Sequence, residues 1–181
     1  DTAAAKDNNV IVTNIPSYGT DAVAQHTFAL LLEIANQVGL HSQAVRAGEW
    51  THAKDFTFWK TPLISLTGKT LGIIGYGHIG QAVAQVAHSF GMRVIFYNHH
   101  TKDVSEDWIK QVSLEDLYAK ADVISLHAPQ TSETAGMIDQ AAISQMKDGV
   151  ILINTARGGL INEADVASAL NSGKIYAYGA D

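Results

Sequence analysis

The 181-residue sequence contains no cysteine, which removes disulfide scaffolds, thiolate metal sites and cysteine nucleophiles from consideration. A reducing, cytoplasmic setting fits that composition. Charge is also scarce: 17% of residues are Asp, Glu, Lys or Arg, against 46% hydrophobic. That balance excludes a disordered, strongly solvated chain and supplies enough apolar material for one packed core. No apolar run reaches the ~18 residues that a membrane span requires. Twelve basic residues against 18 acidic ones leave a net charge of −6, so neither nucleic acid nor an anionic membrane is the expected partner. Small anionic ligands need only local positive potential and stay open. Asp1 to Lys6 carry neither an initiator Met nor the apolar stretch of a signal peptide. The chain stops three residues after a strand-like run, Lys174 to Tyr178. Both ends read as internal edges of a longer protein.

What is present is an alternation of short apolar runs with helical patterns. Asn9 to Thr13 is β-branched and leads into Asn14-Ile15-Pro16, which predicts a strand and a turn. Asp21 to about Val38 reads as a helix with Asp21 as its N-cap and Gly39 just past its end. Residues 48–62 carry Trp50, Phe56, Phe58 and Trp59 without a steady period, the pattern of an ordered arm whose aromatics pack on a second subunit. Strands are expected at Leu71–Ile74, Arg93–Tyr97, Asp122–Leu126, Val150–Ile153 and Lys174–Tyr178. Helices are expected at Ile79–Phe90, after Ser113 (with Asp116 in a variant capping box), around Asp139–Met146, and from the cap Asn162 to Leu170, closed by Gly173. Such alternation predicts an α/β fold, a doubly wound parallel sheet with helices on both faces. No short repeat or low-complexity segment interrupts it.

Gly75-Tyr76-Gly77-His78-Ile79-Gly80 is a G-x-G-x-x-G sequence between a predicted strand and a predicted helix, the context in which the motif binds a dinucleotide. Gly75 permits the tight turn, Gly77 lets a diphosphate approach the backbone, and Gly80 lets the helix sit close to the sheet. The amides of His78 and Ile79 would hold the phosphates. At the end of the second Rossmann strand, where a ribose-binding carboxylate is expected, stands Asn98, followed by His99, His100, Thr101 and Lys102. Asn98 can bond ribose hydroxyls but does not repel a 2′-phosphate, and no arginine supplies a phosphate fork. NAD is the expected cofactor, with NADP open.

Several separated stretches resemble one family. "LTGKTLGIIGYGHIG", "ADVISLHAPQTSETAGMI" and "MKDGVILINTARGGLINEADVASAL" are similar to signature regions of the D-isomer-specific 2-hydroxyacid dehydrogenases. "NIPSYGTDAVAQHTFALLLE" resembles their hinge and interdomain helix. Within the family, "NIPSYGTDAVAQ" and "FWKTPLISLTGKTLGIIG" look most like glycerate dehydrogenases (hydroxypyruvate reductases), with phosphoglycerate dehydrogenases second. The resemblance implies one dinucleotide-binding domain over residues 1–181, with hinge, interdomain helix and arm in 1–66 and the Rossmann core in 67–181. The substrate domain would lie outside this sequence. It also implies a homodimer formed through this domain.

The resemblance further implies that Arg157 binds the substrate carboxylate and polarises the 2-oxo group. A guanidinium suits that task because its planar donors match a carboxylate and it keeps its proton. Thr20, Val23 and Asp181 would lie on the nicotinamide side, with Thr155 and Ala156 beside Arg157. His127, Pro129 and Thr134 would line the cofactor groove. His127 is read as a hydrogen-bonded structural residue, not a proton donor. The catalytic histidine and glutamate would follow Asp181. His99 and His100 are adjacent, a poor chelating pair, and no metal site is expected.

Overall fold

The computed structural model describes residues 1–15 and 18–181. Six strands form a single sheet in the order β3-β2-β1-β4-β5-β6: β1 (Thr70–Ile74), β2 (Arg93–Tyr97), β3 (Ile109–Gln111), β4 (Val123–Leu126), β5 (Val150–Asn154) and β6 (Ile175–Ala180). Every pairing is parallel. β1 and β5 are buried along their whole length, as expected where helices cover both faces of a parallel sheet.

The two faces separate by the strand period of two. Leu71, Ile73, Val94, Phe96, Val123, Ile151 and Ile153 pack with α2 (Thr20–Asn36) and α4 (His78–Ser89). Ile74, Ile124, Leu126, Val150 and Leu152 pack with α5 (Leu114–Lys120), α6 (Gln140–Gln145) and α7 (Glu163–Ser172). Ile73 and Phe96 are fully buried, and each such side chain is worth about 1.5–3 kcal/mol of transfer free energy. On the opposite face Gly72 makes room for α5: a Cβ there would come within 2.8 Å of the Leu117 side chain.

Most caps fall where their chemistry places them. Ser113 accepts from the Asp116 amide, Asp139 from Ala142, and Asn162 from Ala164 and Asp165. Gly173 ends α7 in the left-handed conformation.

Three expectations are corrected. The β-branched run Asn9–Thr13 is not a strand; Val10, Ile11 and Val12 are exposed. Local propensity cannot make a strand without a partner ladder, and among the described residues none pairs with it. The turn expected at Asn14–Pro16 ends on a residue outside the described ones. Gly19, not Asp21, caps α2, and Asp21 sits in the first helical turn, where its charge favours the dipole. Gly39 does not end α2; Gln37 does, in a left-handed conformation, and Gly39 lies inside α3 (Val38–Arg46). That helix, the short α1 (Thr2–Asp7) and edge strand β3 carry too few periodic residues to be read from sequence. Residues 47–65 form turns and irregular backbone in which Trp50, Phe56 and Trp59 are exposed.

Candidate functional site

The sheet order reverses between β1 and β4, and a crevice opens there at the carboxyl ends of the strands. β1 runs into the glycine turn, and α4 starts at His78 with Gly77 as its cap. Gly75 has φ of 98°, and a Cβ on it would sit 2.6 Å from the Ala128 amide nitrogen and the His127 carbonyl carbon. A Cβ on Gly80 would run into the Gly75 carbonyl oxygen. These two glycines therefore serve backbone packing. Gly77 differs: its Cβ direction is open, with nothing within 4 Å. No side chain caps α4, and its first intrahelical bond is Gln81 N–H to Gly77 O. The preceding helical amides, including those of His78 and Ile79, thus face a space with positive dipole and no Cβ to fill it. A diphosphate fits this arrangement.

Two cavities flank the turn and share Ala128 and Pro129. The larger, about 790 Å³, is lined by Tyr18, Thr20, Val23, Ile79, His127, Thr155, Ala156 and Arg157, with Gly19 and Gln130. The smaller, about 320 Å³, is lined by Gly75, Asn98, His99, His100, Glu133 and Thr134, among others. Together they make a groove across the strand ends with phosphate-binding geometry at its middle. Thr134 Oγ1 donates to Pro129 O at 2.6 Å and accepts from the Thr131 amide at 2.8 Å, so this hydroxyl shapes the groove wall. Asn98 is also committed. Its Oδ1 accepts from the Tyr76 amide at 3.2 Å and its Nδ2 donates to His100 O at 3.1 Å. One donor and one acceptor site of the amide stay available for a ligand. Lys102 lines neither cavity, and its amide donates to Gln111 Oε1.

His127 follows β4 and shares a 2.8 Å hydrogen bond between Nε2 and the Oγ of fully buried Ser125. Burial pushes its pKa down to about 4, so the ring is neutral in the folded protein at pH 7. In the unfolded chain it titrates near its ordinary value of 6.5. Between those values the unfolded state binds more protons, so stability should fall as pH drops from about 6.5 towards 4, by on the order of 3 kcal/mol from this group. His127→Gln should flatten the melting-temperature profile across that window. An unchanged profile would show that His127 is not the group responsible.

Arg157 lies just past β5, exposed, and opens a single 3₁₀ turn, Gly158–Leu160. Its Nη1 donates to Ala156 O at 2.7 Å, and among the described residues it pairs with no carboxylate. The segment below it is braced. Asn154, 2% exposed, accepts from the Ala156 amide at 3.1 Å and donates to Arg157 O at 2.9 Å. Thr155 Oγ1 lies 2.9 Å from Thr27 Oγ1 on α2. Thr27 spends its one hydroxyl proton on Val23 O, so Thr155 is the donor between them.

Of the residues singled out from sequence, Thr20, Val23, Ile79, His127, Pro129, Thr155, Ala156 and Arg157 meet in the larger cavity. Gly75, Asn98, His99, Pro129 and Thr134 meet in the smaller. Gly77 and His78 lie exposed at the turn between them, and Gly80 is buried beneath it. Asp181 lines neither; its amide donates to Asn154 O at 3.2 Å. Sequence reasoning missed Tyr18, Gln130 and Glu133 in the walls, and Ser125, Thr27 and Asn154 beneath them. For Ser125 a signal existed: alternation places it on the same side of β4 as His127.

A parallel sheet of this order, with a glycine turn opening a helix at its switch point, defines a dinucleotide-binding α/β domain. The chain belongs to the D-isomer specific 2-hydroxyacid dehydrogenases, whose NAD binding domain matches residues 28–181. It is 47% identical to a hydroxypyruvate reductase of Blautia hydrogenotrophica over 182 aligned positions, covering all of this chain and 56% of that protein. It is 38% identical to a glycerate dehydrogenase of Methylorubrum extorquens, with the same coverages. A D-3-phosphoglycerate dehydrogenase of Mycobacterium bovis is 40% identical, and this chain covers 34% of it. Among solved structures, a D-lactate dehydrogenase from Aquifex aeolicus complexed with NAD and lactic acid matches with a TM-score of 0.85 at 36% identity, over all of this chain and 53% of that one. An acyclic imino acid reductase in complex with NADPH and D-Arg matches with a TM-score of 0.84 at 36% identity, over all of this chain and 57% of that one. The chain thus spans about half the length of most of these proteins.

Proposed function

We propose that this chain is the cofactor-holding half of an enzyme that interconverts a D-2-hydroxy acid and its 2-oxo acid, with D-glycerate and hydroxypyruvate as the favoured pair. The observation that carries the reading is Arg157. It is a guanidinium without a carboxylate partner among the described residues, lining the larger cavity beyond the amino end of α4. The glycine turn holds the diphosphate, the 320 Å³ cavity takes the adenosine end, and the 790 Å³ cavity takes the nicotinamide with the substrate beside it. The bound nicotinamide dinucleotide supplies or accepts the hydride. Arg157 grips the substrate carboxylate and stabilises negative charge on the carbonyl oxygen. His127, neutral and bonded to Ser125, stays out of proton transfer. That task falls to a histidine–glutamate pair supplied outside this sequence. Glycerate and hydroxypyruvate rank ahead of 3-phosphoglycerate because the 47% identity to a hydroxypyruvate reductase exceeds the 40% to a phosphoglycerate dehydrogenase. NAD ranks ahead of NADP because Glu133 lines the adenosine cavity and no lysine or arginine does. A cytoplasmic setting accords with the cysteine-free composition.

Titration of this chain with NADH and NADPH, followed by nicotinamide fluorescence or heat, tests the reading. Saturable NADH binding, weaker NADPH binding and no enzyme-like turnover by the chain alone are the expected results. Preference for NADPH would reverse the cofactor order, and failure of the whole enzyme to bind either would refute the groove.

A second reading, dimerisation, has its own observation. Trp50, Phe56 and Trp59 are 54%, 91% and 68% exposed within one short segment, an arrangement that favours burial against another copy of the chain. Sedimentation over a range of concentrations should show a dimer that Trp59→Ala weakens. A strict monomer at high concentration would count against it.

A further inference from the structure

We infer that Asn154 is a positioning residue for Arg157, setting the backbone geometry from which the guanidinium reaches its anion. The inference rests on the reading of Arg157 as the carboxylate-binding group.

Four polar residues are buried among the described residues: Thr27, Thr70, Ser125 and Asn154. Three of them lie directly under the larger cavity, and each bonds a residue that lines it. Ser125 holds His127, Thr27 holds Thr155, and Asn154 holds Ala156. A buried polar side chain stabilises a fold less readily than an apolar one of its size, because its bonds only replace those it made to water. Their concentration under one wall therefore needs a reason other than core stability.

At Asn154 the geometry supplies one. The side-chain carbonyl accepts from the Ala156 amide two residues on, and the side-chain amine donates to the Arg157 carbonyl. The two bonds bracket the Ala156–Arg157 segment on both sides and fix the direction in which it leaves β5. The main chain of Asn154 is held as well, its carbonyl accepting from the Asp181 amide past the end of β6 at 3.2 Å. The Arg157 guanidinium, among the described residues, is tied only to a neighbouring carbonyl, by one Nη1 bond. Its long side chain inherits its starting point from the brace below. A small displacement of such a group costs catalysis far more than it costs folding, since a misplacement of about 1 Å can lower a rate about 100-fold.

The test uses the full-length enzyme with hydroxypyruvate as the probe, in Asn154→Ala, Asn154→Ser, Arg157→Ala and the Asn154→Ala/Arg157→Ala double variant. Serine keeps an acceptor for the Ala156 amide but is too short to donate to Arg157 O, so it should fall between wild type and alanine. Asn154→Ala should lower kcat/KM for hydroxypyruvate by about 10- to 100-fold, with NADH affinity held within about twofold. In the Arg157→Ala background the Asn154 substitution should add almost nothing, as for two residues acting through one contact.

An undiminished effect in that background would overturn the proposal. So would a change under about threefold in a folded variant, an equal loss of NADH binding, or failure of both single Asn154 variants to fold. If Arg157→Ala itself left kcat/KM intact, the functional reading would fall first, independently of Asn154.

Discussion

Arg157→Lys in the whole enzyme should leave NADH binding unchanged and lower kcat/KM for 2-oxo acids by about 100- to 1000-fold. The substitution keeps the positive charge, so it isolates geometry from electrostatics. A guanidinium meets a carboxylate with two parallel N–H donors in a fixed plane, whereas an ammonium is a point charge on a flexible stem. Loss of one preorganised donor to a developing oxyanion costs about 100- to 1000-fold. Charge neutralisation among the described residues would not mask the effect, because Arg157 forms no ion pair there. Steady-state kinetics with hydroxypyruvate, alongside NADH titration, decide the matter. A loss below tenfold would mean that Arg157 does not hold the carboxylate. A parallel loss of NADH affinity would place it against the cofactor instead.

Gly75→Ala should lower the melting temperature by about 10 °C and abolish NADH binding. Two costs add at this position. The φ of 98° suits glycine alone, and a left-handed backbone costs an ordinary residue about 1–2 kcal/mol. The new methyl would also sit 2.6 Å from backbone atoms of Ala128 and His127, which cannot rotate away as a side chain would, and overpacking of this kind costs about 1–3 kcal/mol. Together about 2–5 kcal/mol is a large share of a stability of about 5–15 kcal/mol, and at about 2–4 °C per kcal/mol the middle of that range gives the predicted shift. Gly77→Ala is the control. Its φ of −88° is ordinary and its Cβ direction is empty, so melting should be nearly unchanged while NADH binding weakens. If Gly77→Ala bound NADH as well as wild type, the diphosphate would not lie over that turn. If Gly75→Ala melted normally, the contact between the turn and the Ala128 backbone would not be tight.

The two glycines show how far reading along the chain could go. The G-x-G-x-x-G spacing, placed between an apolar run and a helical pattern, located the groove and its orientation. It could not distinguish the glycine that packs on Ala128 from the one that leaves room for a ligand, because Ala128 is 53 residues away along the chain and adjacent only in the fold. Asn98 was legible as a strand-end residue, and it lines the smaller cavity. Its commitment to the Tyr76 amide was not, since that bond spans 22 residues. Asn154 stood in a stretch that already drew attention for Arg157, and its paired bonds are local, yet its burial comes from β4 and β6 pairing on either side of it.

Helix caps, left-handed glycines and apolar alternation act within a few residues, and so Ser113, Asn162 and Gly173 could be assigned from the order of residues alone. The same local chemistry misled at Asn9–Thr13, where β-branched side chains favour extended backbone but no neighbouring strand is present among the described residues to complete the ladder. Strand order, the neutrality of His127 and the meeting of Thr27 with Thr155 across 128 positions depend on partners brought together only when the sheet and its helices close. Residue order therefore settled the type of domain and the place of its groove. Tertiary packing decided which groove residues remain free to meet a ligand, because a hydrogen bond already made inside the protein uses a donor or acceptor that a ligand would otherwise take.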